Sequence, residues 1–231
     1  MSATPVCCSG CVSMERSDKR REAFEFFADT LTPGPYECML CEEEAIIGED
    51  GLCDACREKL RYLPNPVCQQ PLDGLTIGLR YSDDIASAVI RFKKFEQTEY
   101  AGFFTQFLSV PDEWHADILV PIPMHPIKKR IRGFNHSELL CAYLSHATGI
   151  PYSTKLLYKI RLTYEQKKLN ASERLKNLRN SFAADEHVKG LRIVLVDDVF
   201  TTGATVYECA KTLKHSGAAK VYLAAVTAPD R

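Results

Sequence analysis

The sequence lacks a strong charge imbalance, a long apolar run and a secretory start. Its 29 basic and 30 acidic residues nearly cancel, so the overall charge gives no support for binding to nucleic acid or to a membrane surface. No apolar stretch approaches the roughly 18 residues that a membrane-spanning helix needs. The first residues contain no basic segment followed by an apolar run, as a secretory signal would. We therefore expect a cytoplasmic protein with no membrane span.

The charges that are present are distributed unevenly along the chain. Residues 22–58 are rich in acidic side chains, whereas residues 155–179 carry eight lysines or arginines and only two acidic residues, Glu165 and Glu173. A basic stretch of this kind indicates an anionic partner. A phosphorylated small molecule is sufficient to meet that requirement.

Cysteines are abundant, and four of them are paired. In a reducing compartment, the ten cysteines favour metal ligands or buried thiols over disulfides. Two C-x-x-C pairs, separated by eleven residues, are formed by Cys38, Cys41, Cys53 and Cys56. This spacing suits a tetrahedral zinc ion, with iron or unmetallated thiols as alternatives. Residues 36–71 are therefore predicted to form a small zinc-ribbon module that depends on the metal for stability, because so short a segment has little core.

Patterning divides the rest of the chain into two parts. Residues 1–35 are predicted to be an N-terminal extension with a short helix that begins at Ser17. Residues 75–231 alternate strands with helices, and the predicted strands are Leu75–Tyr81, Asp117–Ile122, Pro151–Tyr158, Arg192–Val196 and Val221–Val226. This alternation predicts an α/β fold in which a parallel sheet has helices on both faces and binds ligands at the carboxyl ends of its strands.

The segment Asp197–Thr205 has the composition of a phosphate-binding loop between a strand and a helix. Free backbone N–H groups and the positive end of the helix dipole suit a phosphate, and Gly203 permits a close approach. The carboxylates of Asp197 and Asp198 suit sugar hydroxyls or a hard divalent cation. Neither G-x-x-x-x-G-K-[S/T] nor G-x-G-x-x-G occurs, which excludes a P-loop and a dinucleotide fingerprint.

This segment resembles the phosphoribosyl pyrophosphate (PRPP) motif of type I phosphoribosyltransferases. The resemblance implies that Asp197 and Asp198, the candidate catalytic residues, contact the ribose, and that Mg²⁺ accompanies PRPP. It also implies a 5′-phosphate site formed by Thr201, Thr202, Gly203, Ala204 and Thr205. Thr201 stands where purine-salvage members with an acidic base in this loop have an aspartate, so 6-oxopurine salvage is disfavoured.

Two further segments resemble the ComF/GntX family of competence proteins. One runs through Val120–Pro126 and Arg130–Leu140, where His136 replaces the usual glutamine, and the other is a spaced pattern within residues 161–182. The resemblance covers residues 36–226. It implies a type I phosphoribosyltransferase-like domain preceded by a zinc ribbon.

The same resemblance implies a pyrophosphate site in the predicted loop Pro123–Asn135, which precedes a predicted helix at His136–Ala147. The candidate residues of this pyrophosphate loop are Pro123, Met124, His125, Lys128, Arg130 and Arg132. Arginine in particular suits bidentate contacts with phosphate oxygens.

Two functions remain open from the sequence. The first is a Mg²⁺-dependent enzyme that transfers phosphoribosyl to or from a nitrogenous acceptor. The alternative is a non-catalytic, nucleotide-responsive adaptor in competence and DNA uptake, which would bind single-stranded DNA or DNA-processing proteins. A catalytic base and an acceptor pocket would discriminate between them, and neither is identifiable in the sequence. A homo-oligomer is compatible with both.

Overall fold

The computed structural model describes residues 36–63, 68–94, 99–162 and 178–229. The predicted extension at residues 1–35 and a large part of the basic stretch, residues 163–177, lie outside the described residues. Within the described ranges, no helix has the length and the apolar character needed to cross a membrane.

The first described part is a small module with little regular structure. An antiparallel pair of two-residue strands, β1 (Tyr36–Glu37) and β2 (Glu44–Ala45), precedes helix α1 (Asp54–Lys59). The guanidinium of Arg57 donates to both oxygens of Asp50, at 2.7 and 2.8 Å, and so ties α1 to the turn between the two cysteine pairs. Such bidentate pairs fix geometry as well as adding energy.

The remaining described residues alternate strands with helices, as predicted. The strands are β3 (Gly74–Arg80), β4 (Ile118–Pro121), β5 (Leu157–Lys159), β6 (Phe182–Ala184), β7 (Arg192–Val199) and β8 (Lys220–Ala228). The helices are α2 (Asp83–Lys94), α3 (Glu99–Thr105), α4 (Pro126–Arg132), α5 (His136–Thr148) and α6 (Ala204–His215). Single 3-10 turns lie at Asp112–Trp114 and Glu186–Val188.

Four of these strands form a parallel sheet in the order β3-β8-β7-β4. β7 lies inside the sheet and is apolar on both faces, which is typical of a strand buried between two layers. Its Val194 and Val196 pack in one layer with Phe92 of α2, whereas Leu195 packs in the other layer with Leu213 of α6. The predicted α/β class, with a parallel sheet and helices on both faces, is confirmed.

The strand predicted at Pro151–Tyr158 is wrong in its extent. Tyr152 makes one parallel bridge to Leu119 at the edge of the sheet. The hydroxyl of Ser153 then accepts a hydrogen bond from the backbone N–H of Lys155 at 3.2 Å, so a local turn replaces the ladder. Only β5 continues as a strand, and it pairs antiparallel with β6 in a separate two-stranded sheet.

Candidate active site and metal centre

The segment Asp197–Thr205 lies at the carboxyl edge of the sheet. β7 ends at Val199 and α6 begins at Ala204, and a cavity of about 110 Å³ is lined by Asp197 and residues 199–206. The first turn of α6 therefore borders the cavity. Its N–H groups lack partners within the helix, and together with the helix dipole they make the cavity suitable for an anion.

Gly203 holds the loop close to two aromatic rings. Its backbone is left-handed, with φ of 74°, and its carbonyl accepts the backbone N–H of Tyr207 at 2.8 Å. A Cβ at this position would lie 2.5 Å from the Tyr207 ring and 2.9 Å from the Phe200 ring. Both the backbone conformation and the close approach therefore require glycine.

The acidic pair is divided between the two sides of β7, because successive strand residues point to opposite faces. Asp197 lines the cavity, and its Oδ1 accepts hydrogen bonds from the Ser137 hydroxyl at 3.1 Å and from the Asp198 backbone N–H at 3.0 Å. Asp198 is only 6% exposed, and its Oδ2 lies 2.5 Å from the Lys93 ammonium of α2. Its other oxygen accepts the Val199 backbone N–H at 2.8 Å.

These surroundings give the two carboxyls different pKa values. Burial, together with the negative charge of Asp198, raises the pKa of Asp197 to about 7. Burial alone would also raise the pKa of Asp198, but the charge and hydrogen bond of Lys93, together with the His136 charge and the Val199 backbone N–H, lower that pKa below its ordinary value. The pKa of Lys93 rises correspondingly, because the attraction to Asp198 exceeds the effect of burial. Asp198 and Lys93 therefore form an ion pair at neutral pH, while Asp197 titrates there.

The predicted pyrophosphate loop is not a loop throughout, since residues 126–132 form helix α4. Pro126 occupies the first turn, where its missing N–H costs nothing, and the Nδ1 of His125 accepts the Ile127 backbone N–H at 3.3 Å as a helix cap. Gly133, with φ of 90°, ends the helix. The prediction of a continuous loop at Pro123–Asn135 is therefore wrong, because these capping signals outweigh the polar composition.

The cations of this helix differ in their surroundings. Lys129 pairs with Glu138 of α5 at 2.6 Å. Arg132 is exposed, and its charge opposes the raised pKa of Lys93 and adds to the lowered pKa of His136. The other predicted residues in this region differ in exposure. Half-buried are Pro123, Met124 and Lys128, whereas Arg130 is exposed.

His136 is a buried neutral ring beside the same group of charges. It is 3% exposed, and the edges of Phe92 and Phe134 approach it with ring centroids at 5.2 and 5.0 Å. Burial lowers its pKa to about 4, against the opposing effect of the Asp198 charge. Among the described residues, none pairs with its Nε2. His136 is thus an uncharged aromatic side chain at neutral pH.

The four predicted metal ligands lie together. The Sγ atoms of Cys38, Cys41, Cys53 and Cys56 are all within 4.8 Å of one another, and those of Cys41 and Cys53 are 3.9 Å apart. Four thiolates around a zinc ion at about 2.3 Å would be separated by roughly 3.8 Å, so the cluster fits a tetrahedral ion. These cysteines could therefore hold a metal ion.

The electrostatics of the cluster favour at least one thiolate. Burial would raise the pKa of Cys38, but backbone N–H groups of Cys41, Cys53 and Leu40 lower it to about 6. The Cys53 N–H approaches the Cys38 sulfur at 3.4 Å. Burial raises the pKa of Cys56, and the neighbouring thiols add to that effect. A metal ion would supply the positive charge that stabilises further thiolates in this cluster.

Comparison with known proteins identifies the family. The DNA utilization protein YhgH of Salmonella typhimurium is 30% identical over 219 residues, which cover 81% of this chain and 94% of that protein. Competence protein F of Haemophilus influenzae is 26% identical over 215 residues, which cover 80% of this chain and 94% of that protein. The chain belongs to the competence protein F family. Competence protein ComFC of Bacillus subtilis is also similar, at 26% identity over 79% of this chain and 90% of that protein.

The comparisons with family models and with solved structures do not strengthen this family assignment. No protein-family model matches the chain. The glutamine PRPP amidotransferase from B. subtilis, solved in complex with ADP and GMP, aligns with a TM-score of 0.36 and 24% identity. That alignment covers 55% of this chain and 25% of the amidotransferase, and a TM-score this low carries no argument about function.

Helix α2 of the present protein supplies two side chains that the sequence analysis did not predict as part of either site. Lys93 reaches Asp198, as described above. Two residues earlier, the Arg91 guanidinium donates to the carbonyls of Met39 at 3.2 Å and Leu40 at 2.7 Å, within the first cysteine turn. Both contacts join distant parts of the chain, and no local pattern in α2 distinguishes these cations from other charged residues near a helix end.

Proposed function

We propose that this protein binds PRPP or a nucleotide 5′-phosphate on the segment Asp197–Thr205 and transfers a phosphoribosyl group to or from a nitrogenous acceptor. The observation that carries the proposal is the cavity at the carboxyl edge of the sheet, bordered by the first turn of α6 and by the Asp197 carboxyl. Membership of the competence protein F family and the PRPP-like motif support the same ligand.

The proposed chemistry needs mainly positioning and charge stabilisation. A nitrogen of the acceptor would attack C1 of PRPP while the bond from C1 to the pyrophosphate oxygen breaks. Pyrophosphate would leave with the bonding electrons, and the acceptor would lose its proton to solvent. The N–H groups at the start of α6 would hold the 5′-phosphate, Asp197 would accept from a ribose hydroxyl, and Arg132 would face the developing negative charge.

Mg²⁺ enters this proposal as part of the ligand. The oxygens of pyrophosphate and ribose are the hard ligands that this ion prefers. The acidic pair does not fit an ion held by both carboxylates in the ligand-free protein, because Asp198 already pairs with Lys93 at 2.5 Å.

Calorimetric titration of PRPP with Mg²⁺ tests the proposal. Binding in the micromolar range is expected for the wild type, with at least about tenfold weaker binding for Asp197→Asn, which corresponds to about 1.4 kcal/mol. Asp112→Asn, an exposed acidic residue in a 3-10 turn, is the matched control and should bind like the wild type. No binding by folded, metal-loaded wild type would overturn the proposal.

The second candidate function is a non-catalytic, nucleotide-responsive adaptor that handles DNA. The names of the relatives, DNA utilization protein and competence protein F, favour it. Screening nitrogenous acceptors for release of pyrophosphate from PRPP, alongside fluorescence anisotropy with single-stranded DNA, separates the two functions. PRPP binding without pyrophosphate release, combined with DNA binding that responds to PRPP, would favour the adaptor.

We also propose that the metal ion of the cysteine cluster is a structural zinc. Four cysteine ligands close the coordination sphere, which leaves no position for substrate. The cytoplasmic location, the division into residues 1–35, 36–71 and 75–231, and a homo-oligomeric state stay predictions.

A further inference from the structure

Lys93 occupies the position beside the acidic pair where a cation is expected. It extends from α2 to Asp198 on the face of β7 that is opposite to α6, and its ammonium lies 2.5 Å from the Asp198 Oδ2. Its side chain is 32% exposed, whereas that of Asp198 is 9% exposed, so the contact combines a partly accessible cation with a buried carboxylate. A buried carboxylate is costly unless it is paired, and Lys93 supplies the partner.

The other charged groups near Asp198 do not replace Lys93 in this role. Burial keeps the His136 ring neutral, with a pKa of about 4. The charge of Arg132 opposes the raised pKa of Lys93, but Lys93 is the side chain that forms the ion pair with Asp198. Asp197, whose pKa is raised to about 7, carries a partial negative charge at neutral pH. One ammonium therefore offsets most of the charge of the pair.

We propose that Lys93 is the resident cation of the acidic pair, a positioning residue that fixes Asp198 and excludes divalent cations from Asp197 and Asp198 until a ligand brings its own. This inference rests on the proposed function, because it assigns the loop Asp197–Thr205 to ribose 5-phosphate compounds. It also predicts which ligands need a divalent cation for binding. Ligands with a ribose and a 5′-phosphate but no pyrophosphate bind without a divalent cation, whereas PRPP binds as its Mg²⁺ complex.

A hard divalent ion and an ammonium compete for the same carboxylate oxygens, so the exclusion is electrostatic as well as steric. An arginine at position 93 would keep the positive charge, although its planar head has a different shape. Methionine has a similar length and no charge. These two substitutions therefore separate the charge of Lys93 from its bulk.

The test is a titration of Mn²⁺ into ligand-free, zinc-loaded protein, with free Mn²⁺ followed by electron paramagnetic resonance. The wild type and Asp197→Asn are expected to give the same titration, because neither holds Mn²⁺ at the acidic pair. Lys93→Met is expected to gain one site at least about tenfold tighter than any in the wild type. Lys93→Arg should behave like the wild type, and Lys93→Met/Asp198→Asn should lose the gained site.

One outcome overturns the proposal without relying on a variant that folds poorly. If the wild type binds one Mn²⁺ in the absence of ligand and Asp197→Asn loses it, Lys93 does not exclude the ion. A folded Lys93→Met that gains no Mn²⁺ site overturns it as well. In a second arm, ribose 5-phosphate is titrated into the zinc-loaded wild type in a buffer with no added divalent ion; binding that requires Mg²⁺ contradicts the inference.

The Mn²⁺ arm is independent of the proposed function. Failure of PRPP and ribose 5-phosphate to bind the wild type would overturn the ligand assignment, whereas the Mn²⁺ titrations without ligand still decide whether Lys93 is the resident cation. The gain of a metal site in Lys93→Met is also a readout that a purely structural role would not produce, because loss of folding removes sites rather than creating them.

Discussion

Asp197 and Asp198 are adjacent in sequence, but their charges act on stability in opposite directions. Asp197 has a pKa raised from its ordinary value of 3.8 to about 7 by burial and by the charge of Asp198, so its ionised form is disfavoured in the folded protein. Asp198 has a lowered pKa because its ionised form is paired with Lys93. Ionisation of Asp197 therefore destabilises the fold, whereas ionisation of Asp198 stabilises it.

The two aspartates should respond differently to replacement by asparagine. At pH 8, we expect Asp197→Asn to raise the free energy of unfolding by roughly 1–3 kcal/mol, because it removes a disfavoured charge. Asp198→Asn should lower it by roughly 1–3 kcal/mol, since Lys93 loses its partner; Lys93 is 32% exposed, so the cost is smaller than for a fully buried pair. Urea unfolding measures both, and equal destabilisation by the two changes would contradict the assignment.

The effect of Asp197→Asn should also depend on pH. A carboxyl with a raised folded-state pKa binds its proton more tightly in the folded protein, so wild-type stability falls as pH rises from about 4 to 7, and the loss levels off above pH 7. The difference in unfolding free energy between Asp197→Asn and the wild type should therefore grow from pH 5 to pH 7. A difference that stays constant over that range would show that the Asp197 pKa is not raised.

Gly203 contributes both an unusual backbone conformation and a close approach to aromatic rings. Gly203→Ala is expected to cost more than about 1 kcal/mol of stability and to weaken PRPP binding at least about tenfold. The reason is that the new methyl group would overlap the Tyr207 and Phe200 rings at 2.5 and 2.9 Å and displace the loop. Thermal unfolding and calorimetric titration measure the two effects.

The chain offers a matched control for this substitution. Gly149, which ends α5, has the same φ of 74° but no atom within 4 Å of an added Cβ. Gly149→Ala should therefore cost about 1 kcal/mol from backbone strain alone and leave PRPP binding unchanged. If the two variants lose the same stability and bind PRPP equally, the close approach at Gly203 has no role.

At the scale of elements, α2 connects the cysteine module to the acidic pair. Arg91 holds the carbonyls of the first cysteine turn, and Lys93 on the same helix reaches Asp198. The proposed zinc ion would stabilise this cysteine turn, because so few regular elements surround it. The module therefore helps to place the helix that completes the site.

Metal content tests the proposed zinc site directly. We expect one zinc ion per chain in purified protein, and Cys41→Ser should lose most of it because one of four ligands is removed. Cys68, an exposed cysteine outside the cluster, supplies the control, and Cys68→Ser should keep the full zinc content. Elemental analysis by mass spectrometry gives both values, and equal zinc content in the two variants would refute the assignment.

At the scale of the whole molecule, the cysteine module and the sheet domain share a buried core. Leu40 and Leu52 of the module belong to the same hydrophobic cluster as Phe92 of α2, Phe104 of α3 and Leu140 of α5. Each of these side chains is at most 4% exposed. A module that shares its core with the larger domain is not expected to unfold independently.

Zinc removal should therefore destabilise the domain as a whole. Trp114, the single tryptophan, stacks on Tyr222 of β8 with ring centroids 4.5 Å apart and so reports on the sheet. Chelation of zinc is expected to lower the midpoint of the Trp114 fluorescence transition by roughly 4–8 °C, the effect of about 2 kcal/mol in a chain of this size. An unchanged Trp114 transition, with zinc shown to be absent, would mean that the module unfolds separately.

Much of the architecture was readable from local patterns, and the errors have physical causes. The helix predicted at His136–Ala147 is observed as α5, and Gly149 ends it. The helix α4 was missed because a short capped helix has no apolar periodicity to detect, and its caps depend on a histidine, a residue seldom used in that position. The strand at Pro151–Tyr158 was overextended because a serine side chain competed with the ladder.

By itself, the sequence determined the α/β class, the cysteine spacing, the phosphate-loop motif and the family, because each of these depends on residues that are close together or periodic. Only the tertiary structure decided which partner each charge receives. The sequence presents Asp197 and Asp198 as an equivalent pair, whereas the alternation of β7 places one beside the cavity and the other beside Lys93. Contacts between residues distant in sequence depend on how helices pack on the sheet, and no local pattern records that packing.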